Sequence, residues 1–96
     1  MDADALKDMR RERREQVKRG AVMLDGCGVR ACVLIEEDGG RVLRSYNTDV
    51  AAYRGGRFVR LWDGFSVTTL KHVNAFADYV GAPHVNKRAW IEMPVE

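Results

Sequence analysis

The hydrophobic residues of this chain follow a helical spacing at its start, a strand spacing in its middle and a helical spacing again near its end. Residues 3–19 contain neither Pro nor Gly and carry charge pairs three and four positions apart, which predicts a helix. Its apolar stripe of Leu6, Met9 and Val17 is thin, because Arg13 interrupts it. We therefore expect a charged helix that projects from the domain, or docks on it lightly, and is available to a partner.

From residue 21 onward the hydrophobic period is two, which is the spacing of β-strands. Strand segments are predicted at 21–24, 29–35 and 58–62, and turn pairs that contain Gly separate them. A return strand begins at Val42, and we expect the chain to stay extended as far as Tyr53. Short strands joined by hairpins predict an antiparallel meander of three to four strands.

The segment 66–80 carries the clearest helix signals in the chain. Ser66 is a predicted N-cap, and Gly81 followed by Pro83 is typical of a helix end. Apolar residues at spacings of three and four predict one buried face, which consists of Val67, Leu70, Val73, Ala77 and Val80, with Phe76 beside them. We expect this face to pack on the sheet.

A shorter helical turn is predicted further along the chain. Asn86 can cap it, Trp90 is expected to anchor it on the domain, and it stops near Pro94. The predicted fold class is therefore α+β: a charged N-terminal helix in residues 1–20 and a single domain in residues 21–96, where the long helix packs on the antiparallel sheet.

Charge is concentrated at the start of the chain. The 96 residues carry a formal net charge of +2, and residues 1–20 hold all of it, because the remainder contains equal numbers of acidic and basic residues. No segment is apolar and long enough for a membrane span, and the first residues lack an apolar signal region. We expect a cytoplasmic protein without a membrane partner.

Residues able to bind a metal or to catalyse a reaction are few. Cys27 and Cys32 are spaced more widely than the paired cysteines of most zinc sites, and only His72 and His84 could join them. We predict two reduced thiols, no metal site and no cofactor. The sequence contains no GxSxG, HExxH or Walker-type motif, so we expect a protein that is not an enzyme.

Arginine and aromatic residues alternate along the predicted strands. We expect the long helix to cover the face of the sheet that carries Leu43, Val59 and Leu61. The opposite face then carries Arg44, Tyr46, Phe58, Arg60 and Trp62. Arginines beside stackable rings are typical of surfaces that bind single-stranded nucleic acid. The alternative, which we favour, is that the rings pack in a small core and the arginines lie over them.

The arginines of the N-terminal helix also have two alternative roles. Four of them lie in a short run, Arg10, Arg11, Arg13 and Arg14. They could meet a phosphate backbone, but Glu12 and Glu15 lie among them, which favours a solvated or protein-binding helix. Because this helix buries little, we expect deletion of residues 1–19 to leave residues 21–96 folded and to weaken partner binding.

Two segments in the second half of the chain match a known pattern. It reads S-Y-x-T-x-V, then S-x-T-T-x-x-H-x-N-x-F after an aromatic residue, then N-K-x-x-W and a Pro. Its positions are occupied here by Ser45, Tyr46, Thr48, Val50, Phe65, Ser66, Thr68, Thr69, His72, Asn74, Phe76, Asn86, Lys87, Trp90 and Pro94. Residues 45–96 thereby resemble a short domain of small proteins from bacteriophages and mobile elements of Gram-positive bacteria. The N-terminal helix lies outside this resemblance.

The resemblance implies a genomic context but no catalytic residues, because that domain has no established activity. Small phage proteins are frequently binders of host machinery, including inhibitors of CRISPR–Cas systems. We therefore predict a non-enzymatic, anti-CRISPR-like inhibitor that docks on a host nuclease effector complex. Its arginines would contact acidic protein or bound nucleic acid, from the N-terminal helix and from Arg44 and Arg60.

Two further expectations follow from the same residues. The alternative function is a small nucleic-acid-binding accessory protein, which would use the arginines and rings of one sheet face, with Tyr46, Phe58 and Trp62 stacking on bases. The long helix is also expected to present a polar surface made of Thr68, His72 and Asn74.

Overall fold

The computed structural model describes residues 3–96 and has the predicted α+β architecture. Residues 1 and 2 of the predicted N-terminal segment lie outside the described residues. In chain order the elements are α1 (Ala3–Lys18), β1 (Val22–Met23), a 3₁₀ turn (Gly28–Arg30), β2 (Ala31–Ile35), β3 (Arg41–Ser45), β4 (Thr48–Arg54), β5 (Arg57–Arg60), α2 (Val67–Val80) and α3 (Lys87–Glu92).

The sheet contains five antiparallel strands in chain order, one more than the longest predicted meander. The prediction of an extended chain from Val42 to Tyr53 was wrong, because the chain reverses at Tyr46 and Asn47 and pairs Ser45 with Thr48. Tyr46 has a φ of +54°, a conformation that most turns obtain from glycine. No glycine or proline marks this turn in the sequence, so its pattern reads as continuous strand.

The assignment of β5 side chains to the two sheet faces was also wrong. The two-residue turn at Gly55 and Gly56 pairs Arg54 with Arg57, so the odd positions of β4 share a face with the even positions of β5. Phe58 and Arg60 therefore lie on the same face as Leu43, under the helices. Val59 lies on the second face, in a smaller cluster with Val42 and Ala52, and Leu61 packs against that cluster.

Helix α2 has the predicted caps, but its buried face is rotated around the helix axis relative to the predicted one. The Ser66 hydroxyl accepts from the Thr69 N–H at 3.0 Å, and Gly81 ends the helix with a φ of +79°. Val67, predicted to be buried, is 78% exposed. The buried positions are Thr69, His72, Val73, Phe76 and Ala77. The two polar residues can face the sheet because Ser45 supplies a hydrogen-bonding partner there.

Helix α1 packs on the domain and does not project from it. Met9 and Arg13 are buried, at 6% and 2% exposure. Arg13 interrupts the apolar stripe in the sequence, but its guanidinium donates to backbone carbonyls of Val29 and Tyr46. An arginine whose donors are satisfied can fill a buried position, which is why the apolar pattern underestimates the contact.

The C-terminal segment is anchored as predicted. Asn86 caps α3, its side-chain oxygen accepting from the Ala89 N–H at 2.8 Å. Trp90 is 1% exposed, and its indole N–H donates to the Gly64 carbonyl at 2.9 Å. Val95 forms a parallel bridge with Arg60, so the end of the chain covers part of the outer edge of β5.

Among residues 3–96, no helix combines the length and the apolar character that crossing a bilayer requires.

Candidate functional site

The outward side of α1 carries three basic residues in one row. Lys7, Arg10 and Arg14 follow one another at spacings of three and four, and all three are exposed. Within residues 3–96 none of them forms an ion pair or a side-chain hydrogen bond. We call these residues the basic stripe. Its three charges are free to act on a partner.

Two other basic residues of α1 are paired with acidic neighbours. Arg11 pairs with Asp8 at 3.1 Å, and Lys18 pairs with Glu15 at 3.4 Å. Both pairs are exposed and run along α1, beside the stripe. The positive potential of the helix is therefore concentrated in a narrow row rather than spread over its surface.

Arg13 does not belong to this surface, although the sequence places it in the same run of arginines. Its Nε donates to the Val29 carbonyl at 2.8 Å, one terminal nitrogen donates to Gln16 Oε1 at 2.8 Å, and the other donates to the Tyr46 carbonyl. The guanidinium is thus fully engaged inside the protein. Arg13 fixes α1 to the β3–β4 turn and holds the stripe in a defined orientation.

Arg60 is a second predicted contact residue that the structure buries. It is 5% exposed and stacks over the Trp90 ring at 4.7 Å. Its nitrogens donate to five backbone carbonyls, those of Trp62, Gly64, Trp90, Ile91 and Met93. Arg60 therefore joins α3 and the C-terminal segment to the sheet and is not placed to meet a partner.

Arg44 is neither exposed like the stripe residues nor fully buried like Arg13 and Arg60. It is partly buried and lies 3.8 Å from carboxylate oxygens of both Glu12 and Asp49. Its Nε is buried and has no hydrogen-bond partner among the described residues. Arg44 links α1 to the second face of the sheet, and little of its charge is left for an external contact.

The predicted platform of arginines and rings is not present. Phe58 packs on Phe76 in the main core, with ring centroids 5.8 Å apart. Arg44 lies on the second face, whereas Phe58 and Arg60 lie on the first. Tyr46 and Trp62 remain half-buried and line a cleft at one end of the first face.

This cleft, of about 290 Å³, is built largely from the residues that carry the sequence pattern described above. It lies between the β3–β4 turn, the chain that follows β5 and the first turn of α2. Its lining consists of Ser45, Tyr46, Thr48, Val50, Trp62, Phe65, Ser66 and Thr69. We call it the hairpin cleft. No charged side chain lines it, so its chemistry is that of rings and hydroxyl groups.

The floor of the hairpin cleft is a buried polar cluster. Ser45 Oγ lies 2.7 Å from His72 Nδ1 and 3.4 Å from Thr69 Oγ1. Burial lowers the pKa of His72 from its ordinary value, and the charges of Lys71, Arg30 and Arg13 lower it further. His72 is therefore neutral at pH 7, and its Nδ1 either donates to or accepts from Ser45.

The wall residues of the cleft are held in place by neighbouring elements. The Tyr46 N–H donates to the Arg30 carbonyl at 2.7 Å, and its ring packs on His72 with a centroid distance of 5.8 Å. Trp62 lies against Gly64, where a Cβ atom would come within 2.2 Å of the indole ring. Lys87 lies over the Phe65 ring at 5.0 Å.

The predicted polar surface of α2 is divided among three environments. Thr68 is exposed, His72 is buried in the floor of the hairpin cleft, and Asn74 is tied to the loop that follows α2. The Asn74 amide donates to the Val85 carbonyl at 2.9 Å and accepts from the Val85 N–H at 2.8 Å. These three residues do not form one surface.

The two cysteines behave as buried apolar residues. Cys27 and Cys32 are free thiols, and burial raises the pKa of each. In the part of the chain that the structure describes, no group of three or more His, Cys, Asp or Glu side chains could hold a metal ion. The structure thus brings the thiols into the core without adding a ligand set.

Sequence reasoning missed Lys7 and the anchoring role of Arg13. Both follow from one feature of the helix: Arg13 lies four positions after Met9, on the same side, whereas Lys7, Arg10 and Arg14 lie on the other side. The hairpin cleft was missed because its formation depends on the turn at Tyr46, which the pattern does not indicate.

Comparison with protein-family models shows which residues belong to a known domain family. One model matches residues 7–93, which is most of the chain. The chain belongs to DUF8033, a family of unknown function. The match begins within α1, so this helix is part of the DUF8033 domain, although the resemblance at residues 45–96 left it out. Comparison with curated proteins and with solved structures gave no match.

Proposed function

We propose that this DUF8033 protein is a non-enzymatic binding protein that docks on an acidic surface of a protein partner through its basic stripe. The observation that carries the proposal is the row of three exposed cations on α1 that form no ion pair within residues 3–96. Because buried Arg13 fixes the helix to the domain, a partner can bind the row without a large loss of conformational entropy in α1.

The surroundings of the stripe favour a protein over a nucleic acid as the partner. Asp4, Asp8, Glu12 and Glu15 lie on the flank of the same helix and would repel a phosphate backbone that extends beyond the stripe. The sheet face offers no set of rings for bases to stack on. A narrow acidic patch on a protein could contact the basic stripe without approaching the carboxylates on the flank of the helix.

The most concrete form of the proposal is an anti-CRISPR-like inhibitor that acts in the cytoplasm of a bacterial host. The resemblance of residues 45–96 to a domain of phage and mobile-element proteins supports this context. The partner is then a nuclease effector complex of the host, which the stripe contacts on an acidic protein surface and thereby inactivates.

A cleavage assay with purified CRISPR–Cas effector complexes tests this form. We expect micromolar protein to inhibit at least one complex. The variant K7Q/R10Q/R14Q should inhibit it roughly threefold to 150-fold less, since three exposed charge contacts together contribute about 0.6–3 kcal/mol. The matched control is R11Q/R57Q/R88Q, which removes three charges that are paired with Asp8, Glu96 and Glu92. We expect the control to inhibit like the wild type.

Two results would contradict the proposal. Absence of binding and inhibition across the panel of complexes rejects the inhibitor, and equal loss in both triple variants rejects the stripe as the contact surface. Tight binding to oligonucleotides would favour the nucleic-acid accessory protein instead. In that case log affinity falls with log salt at a slope of about −0.7 to −0.9 per phosphate contacted.

A further inference from the structure

We infer that the hairpin cleft is a binding site for a neutral aromatic ring that carries a hydroxyl group, a tyrosine side chain presented by the protein partner. Its walls and floor determine this choice of ligand. The inference rests on the proposed function only in naming a protein as the source of the ring.

The size of the cleft limits the ligand to a group of about one ring. Its volume of about 290 Å³ lies at the lower limit of pockets that take whole small molecules. Half-buried rings of Tyr46, Trp62 and Phe65 form its walls, and a planar ring can pack against such surfaces in offset or edge-to-face geometry. A large ligand would leave most of its surface outside.

The charge of the lining limits the ligand to a neutral group. The lining contains no acidic or basic side chain, and His72 beneath it is uncharged at pH 7. A charged ligand would lose hydration without gaining a counter-charge, which is unfavourable in a partly enclosed site.

The floor favours a ligand that can both donate and accept a hydrogen bond. If His72 Nδ1 accepts from Ser45, the Ser45 oxygen is free to accept from Thr69, and Thr69 can accept from the ligand. If His72 Nδ1 donates to Ser45, the direction of the chain reverses and Thr69 donates to the ligand. A phenol hydroxyl satisfies Thr69 in either case, whereas a bare phenyl ring leaves it without this partner.

The position of the cleft connects it to the basic stripe. The Tyr46 ring forms one wall, and the Tyr46 carbonyl accepts from Arg13 of α1. The helix that presents the stripe is thus fixed directly to the turn that shapes the cleft. The small volume of the cleft, which takes about one ring, favours a side chain over a whole small molecule.

Strain at Tyr46 supports a binding role. A tyrosine at a φ of +54° is uncommon, and the fold maintains it with hydrogen bonds to both its N–H and its carbonyl. Glycine would adopt this turn at lower cost, but it would remove one wall of the cleft. The strained turn thus holds a tyrosine ring that packs on His72 and lines the cleft.

Titration of ¹⁵N-labelled protein with N-acetyl-tyrosinamide tests the site. We expect saturable shifts of the amide resonances of Tyr46, Thr48, Ser66 and Thr69, and weaker binding of N-acetyl-phenylalaninamide. The Thr69→Val variant should bind the tyrosine probe roughly two- to tenfold more weakly and lose its preference over phenylalanine, because one hydrogen bond is lost. Thr68→Val, on the exposed side of the same helix turn, is the matched control and should retain both.

A second variant keeps the test decisive if Thr69→Val is poorly folded. Tyr46→Gly relieves the positive φ and removes a wall, so both probes should bind at least several-fold more weakly while the melting transition stays cooperative. Equal affinity of the two probes for the wild type overturns the hydroxyl assignment. Absence of saturable shifts at these residues overturns the site. Neither result bears on the basic stripe, whose variants are tested separately.

Discussion

Two neighbouring arginines of α1 have opposite roles, Arg13 as an anchor inside the protein and Arg14 as an exposed charge. Arg13 is buried and donates to the backbone carbonyls of Val29 and Tyr46, whereas Arg14 is exposed in the basic stripe. The difference arises from helix geometry, because adjacent residues point about 100° apart around the axis. Composition and charge counts cannot separate such residues, but the position of Met9 can.

The first prediction compares these two arginines. Arg13→Ala should lower the free energy of unfolding by about 2–4 kcal/mol, because it removes a buried side chain together with its hydrogen bonds to the Val29 and Tyr46 carbonyls. Arg14→Ala should change it by less than about 0.5 kcal/mol. Urea denaturation of both variants is the measurement, and equal midpoints would show that Arg13 is not an anchor.

The second prediction concerns pH and His72. Folding lowers the pKa of His72 below 6.5, so the unfolded chain binds a proton in a pH interval where the folded chain does not. The free energy of unfolding is therefore unaffected by His72 well above pH 6.5. It decreases as pH falls from there towards the pKa of His72 in the folded protein, with a limiting slope of about 1.4 kcal/mol per pH unit.

Urea denaturation at several pH values between 5.5 and 7.5, an interval of about two units around the ordinary histidine pKa, checks this dependence. His72→Asn keeps a hydrogen-bonding group near the Ser45 hydroxyl and should flatten the profile. His84→Asn leaves His72 in place and should retain the slope. A His72→Asn profile as steep as that of the wild type would contradict the assignment.

At the scale of elements, local signals predicted helices well and strands less well. The caps of α2 and α3 follow from Ser66 and Asn86, because a side chain that bonds its own helix start acts within a few residues. The buried face of α2 depended on a distant residue, since Thr69 and His72 are buried only where Ser45 meets them. That pairing depends on the β3–β4 turn, which no glycine marks. The apolar pattern correctly predicted that Val73, Phe76 and Ala77 are buried, but it missed the two polar residues and placed the exposed Val67 on the buried face.

The third prediction concerns α1 as a unit. The sequence predicted that residues 21–96 stay folded without residues 1–19, but α1 buries Met9 as well as the Arg13 side chain. We expect the deletion to cost roughly 3–6 kcal/mol of unfolding free energy, which is more than Arg13→Ala alone. Circular dichroism with urea titration measures this cost. A deleted protein with the wild-type midpoint would restore the view of a lightly docked helix.

At the scale of the whole molecule, one sheet separates two unequal layers. The main core lies between the first face and helices α2 and α3, and α1 contacts the other side through Gln16 and Glu12. The α+β class could be predicted from the sequence, because it depends only on the order of helical and strand spacings along the chain. The candidate sites could not be predicted in the same way. They depend on which face each strand residue occupies and on the rotation of each helix, and these depend on the register of five strands.

The central claim is that the basic stripe, fixed to the domain by Arg13, is the surface that binds the partner. Isothermal titration of an inhibited effector complex with three proteins tests it most directly: the wild type, K7Q/R10Q/R14Q and R11Q/R57Q/R88Q. We expect the first triple variant to bind with a roughly threefold to 150-fold higher Kd and the second to bind like the wild type. Unchanged affinity of the first triple variant would contradict it.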